Sequence, residues 1–257
     1  MQEVFKAIPD VPSLFRRTQA LAVLSAIQSP AEPPYDVQMS GQYALVRRES
    51  GWKATFREQT ECIDIHFTDD AGVLLLWWIR EAIFDTGCDF AGDWPPLLKQ
   101  VPEPLSSLMH DPQTTLGYRT GGGDLPDMPM LSGVMWREPG DTSWRIPDFT
   151  YGEEIVEEGE RHADCGARDN YAFMALDDLI APLPERTWAR TVREEGTAPD
   201  YDPAGVTWPP SGMSPAAAMR HAFELRPVTA QVIGALHPTR TLADVMPAVR
   251  ATGYPQD

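Results

Sequence analysis

Cys62, Asp64 and His66 alternate with Ile63, Ile65 and Phe67 in one short run. On a β-strand alternate residues share a face, so a thiol, a carboxylate and an imidazole would project together, a donor set suited to a soft divalent cation. The spacing works against a single shared ion. Neighbours along such a face stand about 6.5 to 7 Å apart, so one metal would need a sharp bend or ligands from elsewhere. The expectation is therefore an exposed polar sheet face with a partly buried cysteine, and no metal or cofactor site.

The densest cluster of ionisable groups is Glu153-Glu154-Ile155-Val156-Glu157-Glu158-Gly159-Glu160-Arg161-His162-Ala163-Asp164-Cys165. Its carboxylates lack the D-x-D-x-D-G order of a calcium loop, and its one histidine has no second at zincin spacing. A solvated acidic segment is expected, with Glu153, Glu154, Glu157, Glu158 and Glu160 as the residues of choice for contact with a partner. Cys165 and His162 are close in sequence, but catalytic pairs are ordinarily assembled by the fold. The chain has no G-x-S-x-G elbow, no P-loop and no G-x-G-x-x-G, and Gly121-Gly122-Gly123 lacks the lysine of a phosphate cradle. No catalytic residue is assigned from motifs.

Charge narrows the classes further. Lys and Arg total 21 against 38 Asp and Glu, a formal charge of −17, which repels phosphate backbones and anionic lipid and favours a basic protein partner. The three cysteines, Cys62, Cys88 and Cys165, are scattered and odd in number, as expected of reduced thiols in a cytoplasm. The first ten residues hold Glu3, Lys6 and Asp10 with no continuous apolar stretch, so a secretory signal is not expected there. The longest apolar run, Val73 to Ile79, is far short of the roughly 20 residues of a membrane span.

These residues need elements to hold them. Leu14, Leu21, Leu24 and Ile27 predict an amphipathic helix over residues 13–28, with Ser13 as its N-cap and the prolines from Pro30 as its end. Tyr43–Arg48, Trp52–Glu58 and Cys62–Thr68 read as a meander of strands. Val73–Ile79 is apolar at both parities and is either a doubly covered strand, the favoured reading, or the start of a buried helix. Pro102 and Pro104 would confine a short helix near residues 97–109. A hairpin is expected from Val134–Arg137 and Ser143–Ile146 about a Pro139-Gly140 turn. Trp77, Trp78, Trp136 and Trp144 are expected in the core. Further on, Phe173, Leu176 and Ile180 suggest a helix, residues 196–212 a long loop, and Ser214-Pro215 a helix start. Thr241 with Asp244 resembles a capping box, Leu242, Val245, Met246 and Val249 form a stripe, and Gly253 occupies a C′ position. The expected fold is α+β: an N-terminal helix on an antiparallel meander sheet, with a mainly helical C-terminal part, in a single domain whose halves would divide near residue 150.

The chain resembles a family of acidic, largely actinobacterial proteins without an assigned activity. The likeness lies in Ile8-Pro9-Asp10-Val11-Pro12-Ser13-Leu14, in Trp136-Arg137-Glu138 with Gly140-Asp141 and Trp144, and in Leu225-Arg226-Pro227-Val228-Thr229 through Gly253-Tyr254-Pro255. It implies continuity of fold. Where that family places a histidine after the meander, this chain reads Ile83-Phe84-Asp85-Thr86. The strand order from Tyr43 to Phe84, with Trp52 and Phe56, also resembles small toxin-immunity proteins. The function expected on these grounds is a protein-binding module, an immunity or antitoxin-like inhibitor of a basic partner. The alternatives are an enzyme with a site assembled from distant residues, such as His66, His162 or Asp85 with carboxylates, and a structural or regulatory protein.

Overall fold

The computed structural model describes residues 8–28, 42–57, 61–79, 99–110, 133–147, 212–237 and 239–256. Helix α1 (Val11–Gln28) is followed by a five-stranded sheet in the order β1 (Gln42–Arg48), β2 (Gly51–Arg57), β3 (Glu61–Thr68), β4 (Val73–Ile79), β5 (Gly133–Arg137). Between β4 and β5 lies α2 (Glu103–Ser106), continued by a 3-10 turn over Ser107–His110; α3 (Pro215–Phe223), α4 (Ala230–Leu236) and α5 (Leu242–Ala251) follow. The antiparallel α+β fold is the one expected. The helix suggested by Phe173, Leu176 and Ile180 lies outside the described residues.

The chain divides into two compact units. The first contains residues 51–55 of β2, all of β3, β4 and β5, and the segment 99–110. In its ladder, Asp64 stands opposite Leu76, and His66 opposite Leu74; on the far side of β4, Leu74 faces Trp136 and Leu76 faces Val134. Paired residues share a face, so Asp64, His66, Leu74, Leu76, Val134 and Trp136 occupy one face, and Ile65, Phe67, Val73, Leu75 and Met135 the other. All eleven are buried. The first face is covered in part by Val101, Leu105 and Met109, which pack with Leu74, Leu76, Val134 and Trp136.

The turns of this unit are set by glycine. At Gly72 φ is +108°, and a Cβ there would collide with the Arg137 carbonyl oxygen. The same turn is closed by Thr68, whose N–H and hydroxyl both donate to the Gly72 carbonyl (2.9 and 2.7 Å) while its Oγ1 accepts from Ala71 N–H (2.9 Å). After β5 the chain turns through Glu138–Asp141, with Gly140 at φ +88° and Glu138 N–H donating to the Asp141 carboxylate (2.9 Å). The expected partner strand at Ser143–Ile146 is reduced to a single bridge between Trp136 and Arg145.

The second unit packs α1, β1 and the C-terminal helices around Val23, Leu24, Ile27, Met219, Val232 and Val249. Helix α1 starts two residues before the expected point. Its cap is Asp10, whose carboxylate accepts from Ser13 N–H (2.8 Å), and Pro12 is tolerated because first-turn N–H groups have no helical acceptor. Helix α3 begins at the Ser214 cap and ends in a Schellman turn with Leu225 at φ +53°, its N–H donating to Ala222 O and Arg226 N–H to His221 O. Helix α4, absent from the periodicity reading, is capped by Thr229. Helix α5 carries the expected capping box, Thr241 N–H donating to Asp244 (2.8 Å), and Gly253 follows it at φ +66°. The unit is tied shut by Gln19, donating to Gly253 O (2.9 Å), and by the Tyr254 hydroxyl, donating to Arg226 O (2.8 Å); burial pushes that phenol well above its usual range.

Two outcomes are expected. Gly72→Ala must both strain φ and displace backbone, so it should cost well over the ~1 kcal/mol expected of Gly140→Ala, whose Cβ would meet open space. Thermal melts of the two variants check the ranking. Hydrogen bonds from Thr241 hold the Asp244 carboxyl below its usual range, so its contribution is present above the unfolded-state pKa and is lost as pH falls through the folded one. Asp244→Asn should therefore lower the melting temperature at neutral pH and narrow its gap from the parent as pH drops through the acid range.

Candidate functional site

The first sheet face in unit 1 contains two charges taken out of water. Lys53 Nζ on β2 lies 3.2 Å from Asp64 Oδ2 on β3, and the two side chains are 3% and 1% exposed. His66, two residues beyond Asp64 on the same strand face, is also buried, at 5%. Isolated buried ions carry a penalty of several kcal/mol each, which a close partner largely offsets, so neither Lys53 nor Asp64 is stable there without the other.

This corrects the expected polar face. The alternation correctly assigns Cys62, Asp64 and His66 to one side of β3, but that side is not solvated: Asp64 and His66 are buried and Cys62 is half-buried against the Leu74 and Trp136 cluster. The partly buried cysteine is as expected. Strand periodicity reveals parity and says nothing of what lies above each face. Lys53 was missed. Its signal is faint: a lone lysine between Trp52 and Ala54 in a β-prone run, inward-facing only if a carboxylate on the next strand can receive it.

Cys62 and His66 are four residues apart along β3, or about 13 Å, so they can form neither one ion's ligand pair nor a thiol–imidazole dyad. No cluster of three or more His, Cys, Asp or Glu positioned for a metal is found among the described residues. Trp136 shares the face of His66, one strand beyond Leu74. Its ring is 4% exposed, and its buried Nε1–H has no hydrogen-bond acceptor among the described residues. Glu153, Glu154, Glu157, Glu158 and Glu160 lie outside the described residues, as do Asp85, His162 and Cys165. No helix among the described residues is long and apolar enough to cross a membrane.

No protein-family model matches the chain, and no solved structure matches it. Over 86 residues it is 35% identical to an octanoyltransferase of Geobacter sulfurreducens, a stretch covering 34% of this chain and 36% of that enzyme. The chain thus spans about a third of the length of the curated relative it matches. The similarity is to an enzyme. It overturns the expectation of an immunity or antitoxin-like binding module and favours the alternative expectation, an enzyme.

The energetic claim about the pair is testable by a double-mutant cycle. Lys53→Met alone strands a buried carboxylate and should cost about 3 to 5 kcal/mol, whereas adding Asp64→Leu should recover a large part of that loss. Denaturant melts of both single variants and the double variant give the coupling; purely additive costs would show that the two charges do not depend on each other.

Proposed function

We propose that the protein is an enzyme of the acyl-transfer class, with a site assembled from Lys53 on β2 and Asp64 and His66 on β3. The observation that carries the proposal is the buried Lys53–Asp64 pair on the face that also holds His66. Strongly desolvated, paired ionisable groups beside a histidine concentrate at functional sites, because a dry environment amplifies every charge in it. The local similarity to an octanoyltransferase supports acyl transfer as the reaction class and a medium-chain acyl group as the substrate class.

In such a reaction the acceptor attacks the acyl carbonyl carbon, the bond from that carbon to the acceptor forms, and the bond to the donor sulfur breaks. His66 takes the proton from the acceptor and returns it to the departing thiolate. Lys53 and Asp64 contribute a fixed dipole that needs no solvent reorganisation as charge develops. Aliphatic neighbours, Leu74, Leu76 and Val134, suit the hydrocarbon part of the substrate and exclude competing water.

Thiol release from octanoyl-coenzyme A by the purified protein, with mass spectrometry of the acylated product, tests the reading. His66→Gln keeps a polar side chain of similar size and should lower turnover by about 10² or more while the far-UV spectrum and melting profile stay close to the parent. Thiol release no faster than buffer alone, or equal in parent and variant, would sink the assignment.

A further inference from the structure

The Trp136 indole remains unexplained by the fold. A buried N–H without an acceptor costs about 1 to 3 kcal/mol relative to one that is paired, so such a donor is rare in a native protein and calls for a reason. Trp136 is the penultimate residue of β5, its backbone N–H and carbonyl both engaged by Arg145 (3.0 and 2.8 Å), so the strand is held in place against a shift that would find the indole a partner. Around it lie Leu74, Leu76, Val134, Leu105 and Met109, none of which offers a side-chain acceptor oxygen. Across β4 on the same face is His66.

Resting on the acyl-transfer reading, we infer that Trp136 Nε1–H is a substrate-binding donor, which takes the carbonyl oxygen of the acyl group while the aliphatic residues around it take the chain. The chemistry of the face matches that ligand on both counts: the indole N–H, which has no acceptor among the described residues, for the carbonyl oxygen, and Leu74, Leu76, Val134, Leu105 and Met109 for the chain. A carbonyl held there is polarised toward attack, and the register places Trp136 two strands from His66, about 10 Å between backbones, with Leu74 between them on the same face. Leu105 and Met109 cover the face from α2 and the 3-10 turn.

The probe is octanamide, which carries the carbonyl and the chain but cannot transfer its acyl group. In a 1H–15N spectrum the indole signal lost in Trp136→Phe identifies Nε1–H of Trp136 among the eight tryptophans. Titrating octanamide into the parent should move that signal downfield, and Trp136→Phe should bind octanamide roughly fivefold or more weakly, the loss of one hydrogen bond of about 1 kcal/mol. Replacing Trp136 by 3-benzothienylalanine, which keeps the ring shape and removes only the N–H, should reproduce that loss without lowering the melting temperature of the free protein. An unmoved indole signal at saturating octanamide, equal affinity in parent and variants, no binding to the parent, or a marked loss of stability in the isostere would each overturn the inference. Binding through the indole by a protein that releases no thiol from octanoyl-coenzyme A would instead remove the transferase reading and leave the donor site standing.

Discussion

Lys53 and Asp64 can be buried only together, and that requirement reaches through the whole of unit 1. Their 3.2 Å separation demands that β2 and β3 meet in one register. A slip of one residue would swing Asp64 to the side of Ile63, Ile65 and Phe67 and leave Lys53 facing hydrocarbon, because side-chain direction in a strand reverses at every step. Such a slip would strand both ions, so the pair rejects alternatives more strongly than it stabilises the correct arrangement. The glycines serve the same end. Gly51 at φ +149° leaves no room for a Cβ against the Phe67 carbonyl, and Gly72 does the same against Arg137, so the start of β2 and the turn from β3 to β4 each require one close backbone approach.

The register fixed in this way determines what else can share the face. Asp64 aligns with Leu76 and Val134, and His66 with Leu74 and Trp136, which sets polar groups in line with bulky aliphatic ones rather than with each other. The result is a dry face with charge along one strand and hydrocarbon along the next two. That juxtaposition is what an acyl group presents in reverse, a polar carbonyl joined to an apolar chain. Unit 2 solves an ordinary problem by ordinary means, with capped helices around an aliphatic core and the Tyr254 hydroxyl spanning the end of α3.

Much of the fold was legible because its signals are local. The bounds of β4 coincide with an unbroken apolar run, and the Ser214 and Thr241 caps follow from side chains that accept from the N–H three residues on. The failures have equally definite causes. Asp10 and Ser13 are both good caps, and only the geometry of the first turn decides between them. Helix α4 has seven residues and includes Gly234, too little length for a period to emerge. The site was half legible: alternation placed Asp64 and His66 on one face, but Lys53 enters from another strand and the cover from residues far along the chain. Burial is a property of tertiary packing, so no pattern within β3 could announce that its polar side is dry.

The same distinction explains why the chain's charge misled. An excess of 17 negative charges is a sum over groups that are mostly hydrated, and beyond a Debye length of about 8 to 10 Å in physiological salt such groups are screened from one another. A sum of that kind bears on solubility and on the approach of distant partners. Chemistry depends on the few charges withdrawn from solvent, and among the described residues the buried ion pair is one lysine and one aspartate that cancel in any count. The effective dielectric constant around them is several-fold lower than that of water, so a dipole that contributes nothing to net charge acts more strongly on a neighbouring imidazole or carbonyl than any of the hydrated carboxylates outside. Composition therefore pointed to the surface, where charge is abundant and weak. The ion pair points inward, to the face where charge is scarce and strong.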